Sequence, residues 1–266
     1  MTVFMLYFAI FLLALFIGSF LNVVVDRVYR GEQFLKGRSY CEFCKYKLEL
    51  LDLMPVLSFI YTHGKCRHCG VKIPIKHPLI EVTTALVITF GLYLLNPASF
   101  IEGVFFVILI STLLLIFFTD LLYYVIPDIY LYILFGLYFV FAGGFYFLNF
   151  TNLFIANLYV NPISHFISAL IVGGFFALLH FGSRKKAMGE GDIYLGAILA
   201  LFLGGWMSVV MLYVSFLTGA FVGVILILLR KKRFGQAVPF GPFLIFGFIV
   251  ANLVGSNLIN LYLRLL

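Results

Sequence analysis

Long apolar runs alternate with short polar stretches along most of this chain. Eight runs stand out, at residues 3–25, 79–95, 101–118, 130–148, 162–181, 193–203, 207–229 and 240–263. An α-helix needs about 20 apolar residues to cross a lipid bilayer, and most of these runs approach that length. The pattern therefore predicts an all-α polytopic membrane protein with about eight transmembrane helices. The sixth run is short, and Gly204-Gly205 provides a turn after it.

The composition and the N-terminus agree with a membrane setting. Of the residues, 64% are hydrophobic and only 11% are charged, whereas soluble domains contain about 25% charged residues. The first run has no basic segment before it and no small-residue cleavage site after it. We therefore interpret it as a retained helix rather than a signal peptide.

The basic residues favour one face of the membrane. When the chain is threaded through eight spans, ten of its 18 Lys and Arg fall at residues 27–76, three at 184–186 and four at 230–233, all on one side. Only Arg264 falls on the other side. Because cytoplasmic loops hold the excess of Lys and Arg, this side is predicted to be cytoplasmic, with both termini outside. The net charge of +7 then reflects topology and attraction to the lipid bilayer, and we predict no nucleic-acid partner.

The one long polar stretch, at about residues 26–77, holds two Cys-x-x-Cys pairs separated by 21 residues. This spacing suits a tetrahedral thiolate site, and cytosolic thiols are kept reduced. We predict a structural zinc ion bound by Cys41, Cys44, Cys66 and Cys69. Redox-active or incidental cysteines are the alternative. Three nearby histidines are interpreted as solvated loop residues: His63, His68 and His77.

These patterns divide the chain into three predicted parts. Residues 1–25 form the first transmembrane helix, residues 26–78 a cytosolic zinc-binding domain, and residues 79–266 a seven-helix membrane domain. About fifty polar residues have little hydrophobic core, and a bound zinc ion contributes on the order of 10 kcal/mol to the folding of such a unit.

Acidic residues are rare enough to be informative, since only four of the eleven follow Glu102. Asp120 and Asp128 lie between the third and fourth runs, and Glu190 and Asp192 precede the sixth. Carboxylates at such membrane ends usually serve ions, protons or catalysis. On position alone, Asp128 and Asp192 also suit helix caps, and we favour a cap for Asp128. Asp120 closes a helix, where a negative charge opposes the helix dipole.

The string Gly189-Glu-Gly191-Asp192 adds backbone freedom at the membrane edge. Its two glycines let the chain leave helical geometry and let another segment approach closely. Paired with Asp120, Asp192 suggests an aspartyl dyad, in which two carboxyl groups cannot both ionise cheaply and one keeps a proton. The ionised partner then takes a proton from water that attacks a peptide carbonyl, and the protonated partner assists the oxyanion.

Nearly the whole chain resembles the type IV prepilin peptidases, a family of bifunctional leader peptidases and N-methyltransferases. The resemblance lies in Gly18-Ser-Phe-Leu-Asn22-Val-Val, the cysteine segments at 39–44 and 64–69, Pro78-Leu-Ile-Glu81, the acidic segments at 120–128 and 189–192, and Pro239-Phe-Gly-Pro242-Phe. In this family the catalytic pair corresponds to Asp120 and Asp192, and Gly189 and Gly191 complete the active-site motif.

The resemblance implies a substrate class and a location. The substrates would be type IV prepilins or pseudopilins, whose short basic leader is cleaved at the cytoplasmic face of the bacterial inner membrane. The new N-terminal residue would then be methylated from S-adenosylmethionine. Because the sequence has no Gly-rich strand–helix turn typical of nucleotide cofactors, it does not locate the methyl donor. Glu81 is a possible contributor, and a structural role for it is at least as plausible.

Three other interpretations compete with this one. A transporter also uses paired intramembrane carboxylates, but near the bilayer midplane, whereas the acids here cluster at one face. A presenilin-type or signal-peptide-peptidase-type protease shares only the Gly-x-Gly-Asp string and lacks the cysteine pairs. A zinc-bearing membrane scaffold would tolerate replacement of both aspartates.

Overall fold

Helices account for nearly all of the regular structure. The computed structural model describes residues 2–33, 37–148, 162–185, 188–233 and 236–265. Within these ranges there are nine α-helices: α1 (Thr2–Tyr29), α2 (Leu57–Tyr61), α3 (Lys76–Leu95), α4 (Phe100–Tyr123), α5 (Asp128–Leu148), α6 (Pro162–Gly182), α7 (Glu190–Leu203), α8 (Gly205–Leu228) and α9 (Gly241–Leu265). A single 3-10 turn covers Leu50–Leu53. The described residues contain no β-strand, only two isolated bridges.

The all-α polytopic fold class predicted from the sequence is confirmed. Each of the eight predicted runs falls in a helix, apart from single residues at two ends. Six helices of the described part are long and apolar enough to cross a membrane: α1, α3, α4, α6, α8 and α9. The described apolar part of α5, Asp128–Gly143, is shorter, and α7 has only 14 residues. The count of eight spans therefore stays a prediction. The predicted outer loop at 149–161 and the basic residue Lys186 lie outside the described residues.

The chain divides into two compact units, Met1–Phe118 and Thr119–Leu266. In the first unit α1 packs along α3. A Cβ atom added at Gly18 of α1 would lie 2.7 Å from the Cα atom of Glu81, so the close approach of the two helices requires glycine there. Asn22 donates a hydrogen bond from Nδ2 to the carbonyl oxygen of His77, at 2.8 Å. The interpretation of His77 as a solvated loop residue is wrong, because it lies half-buried in the first turn of α3.

In the second unit the short helix α7 is central. It contacts α5, α6, α8 and α9, and most of its side chains are buried. Gly196 of α7 lies against the ring of Phe176 in α6. The predicted turn after α7 is present: Gly204 has φ +66°, and its backbone N–H donates to the carbonyl oxygen of Ala200 at 2.8 Å. Packed against four helices, α7 supports the residues at its N-terminus.

Candidate active site and metal centre

Asp120 lies in the last turn of α4 and is buried, with only 5% of its surface exposed. Its Oδ2 accepts a hydrogen bond from the backbone N–H of Gly241, at 2.8 Å. Gly241 is the first residue of α9, so this donor is one of the N–H groups that a helix N-terminus leaves without an intrahelical partner. The positive end of the α9 dipole thereby compensates a carboxylate that the C-terminal end of α4 does not favour.

Asp192 lies in the first turn of α7 and is 8% exposed. Its Oδ2 accepts a hydrogen bond from the backbone N–H of Gly189, at 3.2 Å. Gly189 is the N-cap residue and Asp192 is the third residue of the helix, so Asp192 is not the N-cap that its position suggested but bonds back to the N-cap N–H. Its other oxygen, Oδ1, is buried and has no hydrogen-bond partner among the described residues. The carboxylate of Asp120 lies close enough to repel the carboxylate of Asp192 electrostatically. The structure thus brings the two predicted aspartates together, with one buried oxygen unpaired.

Ile126 explains why glycines flank these carboxylates. A Cβ atom at Gly191 would lie 2.8 Å from the Cβ atom of Ile126, and one at Gly241 would lie 3.4 Å from its Cδ1 atom. A Cβ at Gly241 would also lie 2.7 Å from Oδ2 of Asp120. Three segments distant in sequence therefore converge, and a side chain at Gly191 would collide with Ile126, whereas one at Gly241 would collide with Asp120.

The other two acidic residues of these clusters have different surroundings. Asp128 is the first residue of α5. The positive N-terminal end of the helix dipole stabilises a carboxylate at that position. Glu190 is two-thirds exposed, and its Oε1 lies 3.2 Å from Nζ of Lys185. Neither side chain is buried like the two aspartates, and each residue begins a helix, which favours the helix-end interpretation given to Asp128 from the sequence.

The four cysteines come together in the first unit. Their sulfur atoms all lie within 4.8 Å of one another, and Sγ of Cys41 is 3.9 Å from Sγ of Cys69. Four thiolates at Zn–S distances of about 2.3 Å in a tetrahedron are separated by roughly 3.8 Å. The donor set and its spacing therefore suit a metal ion that prefers four sulfur ligands.

Two equivalent loops present these sulfur atoms. In the first, the backbone N–H of Cys41 donates to the carbonyl oxygen of Tyr46 at 2.9 Å. In the second, the N–H of Cys66 donates to the carbonyl oxygen of Val71 at 2.8 Å. Backbone N–H groups of Cys69 and His68 also donate to the sulfur of Cys66, which lowers the pKa of that thiol to about 7. The other thiol of this loop behaves differently: although the backbone N–H of Val71 donates to it, burial and the neighbouring sulfur atoms raise the pKa of Cys69 to about 11. Cys66 is therefore the thiol of this loop that favours the thiolate, the form that binds metal.

Comparison with known proteins decides the family. Residues 12–95 match the bacterial peptidase A24 N-terminal domain, and residues 107–228 match the type IV leader peptidase family. The prepilin leader peptidase/N-methyltransferase of Bacillus subtilis (strain 168) is 30% identical over 96% of this chain and 97% of its own length. The chain belongs to the type IV leader peptidase family.

Two further relatives with the same printed name are similar over nearly their whole length. The protein from Aeromonas hydrophila is 32% identical and that from Legionella pneumophila is 27% identical, each over 97% of this chain and 94% of its own length. No solved structure was found that matches the chain. Membership in the type IV leader peptidase family favours the peptidase interpretation over a transporter or a scaffold.

The structure also identifies site residues that the sequence did not assign. Gly241, within the Pro239-Phe-Gly-Pro242 segment, lies beyond the part of the chain that matches the leader peptidase family, yet it donates to Asp120. His180 of α6 is 2% exposed, and its Nδ1 lies 2.7 Å from the carbonyl oxygen of Met188, just before the Gly-x-Gly-Asp string. Its Nε2 is 3.6 Å from Oε1 of Glu190. The available signal for His180 was a histidine at the end of an apolar run shortly before that string.

Proposed function

We propose that this protein is a membrane aspartyl endopeptidase that cleaves the short basic leader from type IV prepilins or pseudopilins and N-methylates the new N-terminal residue. Family membership and the printed names of its relatives support both activities. The observation that favours the peptidase activity most is the buried pair Asp120 and Asp192, in which Oδ1 of Asp192 is unpaired. A buried polar atom without a partner costs about 1–3 kcal/mol, so its retention suggests that water or substrate binds there.

The catalytic roles follow from the surroundings of the two carboxyl groups. Because both are buried and close enough to repel, one keeps a proton while the other is ionised. Glycine N–H groups hold one oxygen of each, which fixes the orientation of the remaining oxygens. The ionised carboxylate takes a proton from the attacking water, and the protonated carboxyl donates a hydrogen bond to the developing oxyanion. Gly189 and Gly191 have no side chains that would crowd Asp192 and Ile126.

A metal ion and a methyl donor are proposed in addition to the aspartate pair, the metal ion for folding and the methyl donor for the methyltransferase activity. We propose that Cys41, Cys44, Cys66 and Cys69 bind a structural zinc ion within a domain at residues 26–78, which would contribute to methylation. S-adenosylmethionine would supply the methyl group on a positively charged sulfur. Residues 79–266 would form the peptidase domain.

The proposed location is the bacterial inner membrane. The distribution of Lys and Arg supports an orientation with both termini outside and the aspartate pair at the cytoplasmic face. Prepilin leaders are basic, and the excess of basic loops on that side marks the side on which such leaders remain after membrane insertion.

One assay tests the peptidase and methyltransferase activities together. Purified protein in detergent is incubated with a prepilin, with and without S-adenosylmethionine, and mass spectrometry identifies the product N-terminus. We expect Asp120→Asn and Asp192→Asn each to abolish cleavage, and the double variant to lose no more than either one, because the two carboxyls act as a unit.

Asp128→Asn and Glu190→Gln are the matched controls, and we expect milder effects from both. If Asp120→Asn cleaves prepilin at a near-normal rate, the two-aspartate assignment is wrong, and Asp128 becomes the next partner to test for Asp192.

A further inference from the structure

A cavity of about 590 Å³ lies in the first unit, lined only by residues between Ser19 and Glu81. They come from α1, the segment with the cysteines and the beginning of α3. Its volume falls within the range of about 300–1,000 Å³ that is usual for small-molecule sites. Neither member of the aspartate pair lines it, so the proposed peptidase chemistry does not account for it.

Glu81 is the unusual group in this cavity. It is buried, with 9% of its surface exposed, and its Oε2 accepts a hydrogen bond from the backbone N–H of Val56, at 2.8 Å. The side chain of Ser19 also hydrogen-bonds to it. In the described part of the chain no Lys, Arg or His forms an ion pair with Glu81, whereas Asp26, which also lines the cavity, pairs with Lys76 at 2.8 Å. A buried carboxylate without a cation is costly, and a cationic ligand would offset that cost.

The backbone that holds Glu81 is strained. Val56 has φ +61° and ψ −46°, a conformation that is rare for a β-branched residue and costs about 1–3 kcal/mol. The strained residue is the one whose N–H holds the carboxylate. Such strain is typical of functional sites, so the orientation of Glu81 is maintained at the expense of local stability.

We infer that this cavity is the methyl-transfer site and that Glu81 binds the terminal amine of the cleaved substrate. The inference rests on the proposed methyltransferase activity and assigns that activity a location and a catalytic residue. Phe43 and Phe59 also line the cavity and offer aromatic faces to a purine base.

The chemistry balances with a carboxylate at this position. The terminal ammonium of the substrate transfers one proton to the Glu81 carboxylate and becomes a neutral amine. The amine nitrogen would then attack the methyl carbon of S-adenosylmethionine, so that an N–C bond would form as the S–C bond breaks. The electron pair of the broken bond leaves with sulfur as a neutral thioether, and the positive charge passes to the methylated amine. Removing such a proton acceptor lowers a rate by about 100-fold or more.

A binding experiment tests the recognition of the amine without relying on turnover. Purified full-length protein in detergent is titrated calorimetrically with two pre-cleaved pilin peptides, one with a free N-terminal amine and one acetylated. We expect wild type to bind the free amine about tenfold or more tightly. We expect Glu81→Gln to bind both peptides equally and to methylate the free peptide about 100-fold more slowly.

Glu102→Gln is the matched control. Glu102 is also a buried glutamate, 1% exposed, whose Oε2 accepts a backbone N–H, that of Ala98, at 2.7 Å. It does not line the cavity, so we expect this variant to keep both the preference for the free amine and the methylation rate. If Glu81→Gln retains the preference for the free amine, the assignment of Glu81 is overturned.

A second variant tests the cavity itself. Ser58 lines it, and Ser58→Trp would fill part of its volume, whereas Tyr61, 78% exposed and outside the lining, provides the control Tyr61→Trp. Calorimetric binding of S-adenosylmethionine should weaken about tenfold or more only in Ser58→Trp. Unchanged binding of S-adenosylmethionine in Ser58→Trp would show that it does not bind in this cavity. Wild type that cleaves prepilin but neither binds the donor nor methylates would refute the proposed methylation, and this inference with it, while leaving the peptidase assignment intact.

Discussion

Single glycines control the geometry of the aspartate pair. Gly241 and Gly189 each donate a backbone N–H to one carboxylate. Gly191 leaves room for Ile126. A side-chain donor can rotate away, but a backbone N–H at a helix N-terminus is fixed by the helix. The carboxyl groups are therefore preorganised before substrate binds.

Gly241→Ala tests this arrangement at one atom. The added Cβ would lie 2.7 Å from Oδ2 of Asp120, so the carboxylate must shift and its hydrogen bond must weaken. We expect kcat for prepilin cleavage to fall by about tenfold to 100-fold, since displacements of about 1 Å have effects of that size. The KM of the peptide substrate should change little.

Gly174→Ala is the control for this prediction. A Cβ atom at Gly174 in α6 has no other atom within 4 Å, so normal cleavage is expected. Equal rates for Gly241→Ala and wild type would show that the Gly241 N–H does not position Asp120.

At the scale of helices, the position of Asp192 depends on the packing of α7 and on the loop that precedes it. Four neighbouring helices surround α7. The preceding loop is held by the buried imidazole of His180, which hydrogen-bonds the carbonyl oxygen of Met188. We interpret His180 as a positioning residue that acts through the backbone on Gly189 and Asp192.

Substitution of His180 distinguishes its hydrogen bond from its volume. In His180→Asn the amide nitrogen can replace Nδ1 as a donor to Met188, whereas His180→Leu keeps the bulk but removes the donor. We expect His180→Leu to lower kcat about tenfold or more at an unchanged KM, and His180→Asn to recover most of the loss. If both variants cleave prepilin equally slowly, the hydrogen bond is not the cause.

The two cysteine loops form the second element-scale feature. Their equivalent backbone hydrogen bonds bring four sulfur atoms together. Because four thiolates complete a tetrahedral site, we expect about one zinc ion per chain by elemental analysis. Replacing Cys41 and Cys44 by Ser should release the metal and make residues 26–78 sensitive to protease.

Freshly purified, reduced wild-type protein without metal would contradict the zinc prediction. Protein that keeps its zinc after both replacements would place the ion elsewhere.

At the scale of the whole molecule, the distribution of charge predicts the orientation in the membrane. Single cysteines at Ala98 and Arg264 should react with a membrane-impermeant maleimide added to intact cells, because both positions are exposed and lie on the predicted outer side. Single cysteines at Ser183 and Gln236 should react only after permeabilisation, because they adjoin the basic clusters.

The wild-type chain is the background for this labelling, since its four thiols are predicted to be cytoplasmic and bound to metal. Reversed labelling would place the aspartate pair on the face opposite to the proposed cleavage and would contradict the orientation.

Local pattern was sufficient for much of this protein. The thickness of a bilayer sets the length of an apolar run that can span it. The apolar runs of this chain therefore predicted the helices and the all-α class. The cysteine spacing predicted the four-sulfur cluster, since each pair is a single turn. The scarcity of acidic residues, together with the family motifs, indicated Asp120 and Asp192. Each of these signals is built from short segments that can be recognised one at a time, so no tertiary structure was needed to detect it.

Tertiary structure alone decided which distant groups meet. Gly241 is 121 positions from the aspartate it holds, and Val56 is 25 positions from Glu81. The burial of His180 beside Met188 depends on how α6 and the loop before α7 pack, which hydropathy does not encode. The same limit applies to His77, whose polarity suggested a loop although α3 includes it. Sequence pattern determines which segments are buried in lipid, whereas the partners of a buried polar group depend on the packing of helices around it.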